Sequence, residues 1–137
     1  MYKMILVPVD LTAPSRALLQ RAVDFANTCN ASIHVTYVEP GVSNYSLEDI
    51  EIELESVHEA NQQKRLQQLR DLCADLPIPP EHIYMTQGNV AGHLIQLASA
   101  IHADLVIMGE HHSFWHMQHI NRQVEKKLNC DLLTMVL

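Results

Sequence analysis

The chain has 137 residues, 47% of them hydrophobic and 18% charged, which suits one domain with a real core and excludes an intrinsically disordered chain. Lysine plus arginine number 9 against 16 acids, a formal charge of −7. A field of that sign repels phosphate backbones and anionic lipid, which speaks against nucleic-acid and membrane-surface partners.

Met4 to Val9 is an apolar run closed by Asp10. It is too short for the core of a signal peptide and far too short to span a bilayer. Cys29, Cys73 and Cys130 are widely spaced with no CxxC pair, the pattern of packed, reduced thiols in a cytoplasmic protein.

In chain order, Met4-Ile5-Leu6-Val7-Pro8-Val9 reads as a strand buried on both faces, with Pro8 tolerated near its end. Thr12 is placed to cap the next helix, with Pro14 in its first turn and Leu18, Leu19, Ala22, Val23 and Ala26 at helical spacing up to Cys29-Asn30. Ser32 to Val38 is rich in β-branched and aromatic residues and reads as a second strand. Gly41 to Leu47 is a loop. Glu48 to about Leu76 reads as a helix with acids at its start and bases in its second half, broken or kinked where the apolar stripe lapses at Asn61-Gln62-Gln63 and ended by Pro77, Pro79 and Pro80. His82 to Met85 is a short strand candidate, and Gln87-Gly88-Asn89 turns into a helix carrying Leu94, Leu97, Ala98 and Ile101. Leu105 to Met108 is a fourth strand ending at Gly109, Phe114 to Leu128 a fourth helix, and Leu132 to Leu137 a last strand. Alternation of this kind predicts one domain over 1–137: an open five-stranded parallel sheet with right-handed crossovers and helices on both faces, an α/β fold.

Ile5-Leu6-Val7-Pro8-Val9-Asp10, Asp104-Leu105-Val106-Ile107-Met108-Gly109 and Gly109-Glu110-His111-His112-Ser113-Phe114-Trp115 occur in an order and spacing that resembles the universal stress protein family over nearly the whole chain. The last segment is similar to the class named for universal stress protein A. The resemblance implies a Rossmann-like fold of the adenine nucleotide alpha hydrolase type, strand order 3-2-1-4-5, and a homodimer. Many members of the family bind ATP through G-x-x-G, a spacer, and G followed by Ser or Thr, in which glycines let backbone amides approach phosphates. Gly109 matches the first glycine, His112 stands at the second, and Asn121-Arg122 fall on the final pair. An imidazole at position 112 would crowd the phosphate path, and the class this chain resembles is regarded as not binding ATP. The crevice beyond the ends of strands one and four remains the expected ligand place. Its degenerate nucleotide-site candidates are Asp10, Leu11, Val38, Met108, Gly109, His111, His112, Asn121, Arg122 and Gln123. Asp10 also has a plain role as a polar cap beside the first helix.

His112, His116 and His119 lie at i, i+4 and i+7, a spacing that can present three imidazoles to zinc, but there is no HExxH motif and no carboxylate placed as a base. With Phe114, Trp115 and Met117 between them, they read instead as a partner-facing or half-buried surface, or as groups that charge below about pH 6.5. No G-x-S-x-G elbow, Walker loop or cysteine–histidine arrangement is present, and capping explains Thr12 beside Asp10 more simply than a nucleophile does. Leu132, Leu133, Thr134, Met135, Val136 and Leu137 form an apolar strand at the sheet's edge with no gatekeeping charge after Asp131. Pairing with the same strand of a second copy is its simplest cover.

The sequence thus predicts a non-catalytic, cytoplasmic stress-response homodimer that binds no ATP and acts through protein partners it does not identify. The alternative is an ATP- or AMP-binding switch using the crevice between Asp10 and Gly109, with Arg122 supplying a cation. A dinucleotide-binding flavoprotein relative would share the architecture, but no G-x-G-x-x-G follows any strand.

Overall fold

A computed structural model describes residues 1–40, 54–110 and 122–137. The elements are β1 (Met4–Pro8), α1 (Ala13–Cys29), β2 (Ser32–Pro40), α2 (Leu54–Cys73), a 3-10 turn (Pro80–His82), β3 (Ile83–Gly88), α3 (Val90–Ala100), β4 (Leu105–Glu110), a helical stretch at 122–127 that we call α4, and β5 (Asp131–Val136). The expected loop from Gly41, the start of the second helix, and residues 111–121, which include the first part of the expected fourth helix, lie outside the described residues.

The strands form one sheet in the order β3-β2-β1-β4-β5, and every pairing is parallel. Parallel strands require helical crossovers, and these crossovers cover both faces. On one face Ile5, Val7, Val35, Leu105 and Ile107 pack under Leu19, Ala22 and Val23 of α1 and Leu69 and Cys73 of α2. On the other, Leu6, Val106 and Met108 pack under Ala91, Leu94 and Ala98 of α3 and Val124 of α4. No described helix is long and apolar enough to cross a membrane.

Several boundaries differ from the sequence reading. α2 runs unbroken through Asn61-Gln62-Gln63, and the apolar stripe lapses there because Gln62 reaches sideways to Gln87 of β3 at 3.3 Å. β3 begins at Ile83, with His82 in the 3-10 turn, and extends through Gln87 and Gly88, because β2 continues to Pro40 and supplies the pairs Glu39↔Gln87 and Pro40↔Gly88. Asn89 then caps α3, its side chain accepting from the Gly92 N–H at 2.8 Å. β4 similarly continues one residue beyond Gly109, where Glu110 pairs with Val136.

Pro8 sits at the parting of the sheet. The Val9 N–H donates to the Thr36 carbonyl and the Asp104 N–H to the Met4 carbonyl, both at 2.9 Å. Successive residues of a parallel strand turn their main-chain groups to alternate neighbours. Ile5, Val7 and Val9 therefore face β2, while Met4, Leu6 and Pro8 face β4. Pro8 has no N–H to give, and the β1–β4 register is confined to Ile5↔Leu105 and Leu6↔Val106. Pairing with β2 continues to Pro8↔Thr36.

Ile107 is fully buried between the sheet and α1. Ile107→Ala is expected to lower unfolding free energy by about 2–5 kcal/mol, read as a lower urea midpoint with an unchanged slope. A loss below about 1 kcal/mol would contradict this core.

Candidate functional site

Beyond Pro8 the chain leaves the sheet and turns into α1. The Asp10 N–H donates to Ser15 Oγ at 3.1 Å, and the Ser15 hydroxyl donates back to Asp10 Oδ1 at 2.8 Å. The same Oδ1 accepts from the Thr12 N–H at 3.2 Å and from the Thr12 hydroxyl. Thr12 occupies the N-cap position in extended conformation, as the sequence suggested, but its side chain makes no capping bond, because the hydroxyl is committed to Asp10. The first turn is closed instead by the Ser15 N–H on the Thr12 carbonyl at 3.1 Å, with Pro14 contributing its fixed φ.

Opposite this turn, β4 ends at Met108, Gly109 and Glu110. The Met108 side chain is fully buried on the α3 side, among Leu6, Leu94 and Val124. Gly109 faces α1. A Cβ built there would lie 2.8 Å from Leu137 Cδ1 and 3.2 Å from Leu18 Cδ2. A side chain at this position would press on two leucine methyls, and that of Leu137 would have to shift. Leu137 is held by its N–H on the Glu110 carbonyl at 3.1 Å.

Of the residues singled out from the sequence, Asp10, Leu11, Val38, Met108 and Gly109 lie at one end of the sheet, beyond or at the C-terminal ends of β1, β2 and β4. Val38 is buried and Leu11 packs partly against the α1-side core. Arg122 and Gln123 are exposed at the start of α4. His111, His112, His116, His119 and Asn121 lie outside the described residues, so the zinc spacing and the second glycine position have no structural account. Among the described residues no group of three or more His, Cys, Asp or Glu is arranged to hold a metal ion.

The sequence reading missed two features. Leu18 and Leu137 reached Gly109 through tertiary packing that no local pattern announces. At the same end of β2, the Tyr37 hydroxyl donates to Glu39 Oε2 at 2.5 Å, and Arg65 of α2 stands 3.7 Å from the same carboxylate. Burial, then the bond to Glu39, pushes the Tyr37 phenol well above its ordinary range, so it remains a donor at any physiological pH. Two of the thiols are poor nucleophiles: burial pushes Cys73 up to about 11. Cys130 is also raised by burial, and then by Asp131 and Asp104. Ser15 is 3% exposed and bonded to the Asp10 carboxylate.

A family model described as the universal stress protein family matches residues 1–134. Universal stress protein A of Yersinia pestis is 30% identical over 142 residues, an alignment taking in 99% of this chain and 93% of that protein. Among solved structures, the universal stress protein UspA from Lactobacillus plantarum superposes with a TM-score of 0.74 at 18% identity, covering 98% of this chain and 97% of that one. A universal stress protein in complex with cAMP superposes with a TM-score of 0.65 at 17% identity, covering 98% and 97%. With the sheet order, the parting at Pro8 and a match across nearly every residue, the chain belongs to the universal stress protein family.

Proposed function

We propose that this chain is a non-catalytic stress-response protein that works as a homodimer and does not use ATP. The observation that carries the reading is how the chain's own groups use the crevice beyond β1 and β4. The Asp10 carboxylate takes hydrogen bonds from Thr12 and Ser15, and the α1 side of Gly109 is packed by Leu18 and Leu137. A nucleotide there would have to compete with bonds and contacts the fold already makes. The raised thiols and the buried, carboxylate-bonded Ser15 are consistent with a chain that does no nucleophilic chemistry.

The β5 edge supports the dimer. Val136 is 72% exposed, and Leu132 and Leu133 are half-buried. With the Leu137 N–H turned to β4, alternation turns the main-chain groups of Leu132, Thr134 and Val136 outward. Arg21 covers one of these, donating to the Val136 carbonyl at 2.8 Å. An apolar edge of this kind is suited to pairing with its own copy.

A second reading is favoured by the relative in complex with cAMP: a switch that holds an adenine nucleotide between Asp10 and Gly109, with the exposed Arg122 offering a cation. Calorimetry with ATP and with AMP, in the presence of magnesium, separates the two. The proposed function predicts no heat of binding up to about millimolar nucleotide, an affinity no better than about −4 kcal/mol. Micromolar binding that Asp10→Ala abolishes would establish the switch instead.

Gly109→Ala is expected to cost about 1–3 kcal/mol through overpacking. Made in a Leu137→Ala background, which removes the nearest atom, the same change should cost less than about 1 kcal/mol. The full cost persisting in that background would show that glycine serves something other than this packing.

A further inference from the structure

On the α3 side of the β2–β3 pair the sheet is polar. His34, Thr36, Tyr84 and Thr86 take the positions that Leu6, Val106 and Met108 fill with hydrocarbon elsewhere on that face. His34 is 6% exposed. The imidazole of His82, in the 3-10 turn leading into β3, stacks on it with ring centroids 3.9 Å apart and planes 16° from parallel. His34 Nδ1 is 2.9 Å from the Tyr84 hydroxyl, and His82 Nδ1 is 3.0 Å from the Ile33 carbonyl, to which it donates. His34 Nε2 is buried with no hydrogen-bond partner among the described residues.

This arrangement tolerates two neutral rings and resists charge. Whichever tautomer His34 adopts, adding a proton leaves a cationic N–H at Nε2 with no acceptor among the described residues. A charge on either ring also faces the other at stacking distance, so a second proton meets a like charge. Among the described residues the surrounding elements bring no compensating ion. In register beside His34, β1 places Leu6. The one titratable side chain of α3, His93, lies at the far end of β3 against Gly88. The α1 residues lining the cleft beside His82 are Val23, Ala26 and Asn27, and Glu81 of the turn is exposed. That cleft, about 240 Å³, reaches the His82 wall, so a proton from solvent has a path to the stack.

We propose that the His34–His82 stack is an acid-sensitive latch that holds the β3 edge of the sheet on β2 at neutral pH and loosens it when the pair is protonated. Burial, then the neighbouring His82, holds His34 below the ordinary histidine value. The folded chain therefore binds this proton less readily than the unfolded chain. The stabilisation is fully present above about pH 6.5, the unfolded value, and is lost as pH falls through the lower folded value. The strand that loosens is an edge strand, joined to the sheet through β2 alone, and its release leaves the remaining four paired.

Amide hydrogen exchange by NMR, corrected for intrinsic rates, tests this on the full chain at about pH 7.5 and about pH 5.5. The opening constants of the β3 amides bonded to β2 should rise about tenfold, while those of β4 rise less than about twofold. His82→Phe keeps a ring against His34 and removes the second cause of its resistance to charge, burial being the first, and should reduce the β3 response. Equal responses in β3 and β4, or an undiminished response in His82→Phe, would overturn the latch. If that variant fails to fold, the imidazole signals of the unmodified chain decide. A His34 ring that titrates below the ordinary histidine value supports the proposal, and one that titrates at or above it refutes it.

Discussion

Pro8 faces β4 without an N–H to offer, and the upper end of the molecule is organised by that missing donor. β1 and β4 stay paired through Ile5 and Leu6 and then separate, while β1 keeps its partnership with β2. Two parallel strands whose crossovers leave on opposite faces must open a crevice where they part. What fills it is a matter of side chains. Asp10 closes the turn into α1 through Thr12 and Ser15, and Leu18 and Leu137 pack over Gly109.

The two edges of the sheet differ in chemistry. β5 is an apolar edge with Val136 in solvent and Arg21 reaching its last carbonyl. β3 carries a polar strip anchored by a buried histidine stack. On the reading we propose, the first edge is where a second copy adds and the second is where acid acts, so association and sensing are placed at opposite sides of one sheet. Neither requires a reactive centre, and the thiols at Cys73 and Cys130 are held in their protonated, unreactive form.

The layout of the sheet was legible in the sequence because parallel strands buried on both faces read as unbroken apolar runs, as at Ile5-Leu6-Val7 and Leu105-Val106-Ile107-Met108. Helix positions followed from periodicity at Leu18, Leu19, Ala22, Val23 and Ala26. Boundaries decided by a partner strand were not legible: Gln87-Gly88 looks like a turn in isolation and is strand only because Glu39 and Pro40 pair with it. The candidate site was legible in position and less so in meaning. Asp10 and Gly109 were identified, but Thr12 looked like a side-chain cap, and nothing local announced that Leu137 would come to rest on Gly109. The histidines that drew notice in the sequence were those spaced closely at His112, His116 and His119. The pair His34 and His82 is 48 residues apart in sequence (82 − 34) and becomes a stack only through the β2–β3 register.

The central claim is that this chain acts by association through its β5 edge. Sedimentation velocity of the purified chain at micromolar concentration tests that most directly, alongside Val136→Lys, which sets a charge on the exposed edge position. The account predicts a dimer for the unmodified chain and a folded monomer for the variant. A monomer for the unmodified chain, or a dimer that Val136→Lys leaves intact, would contradict it.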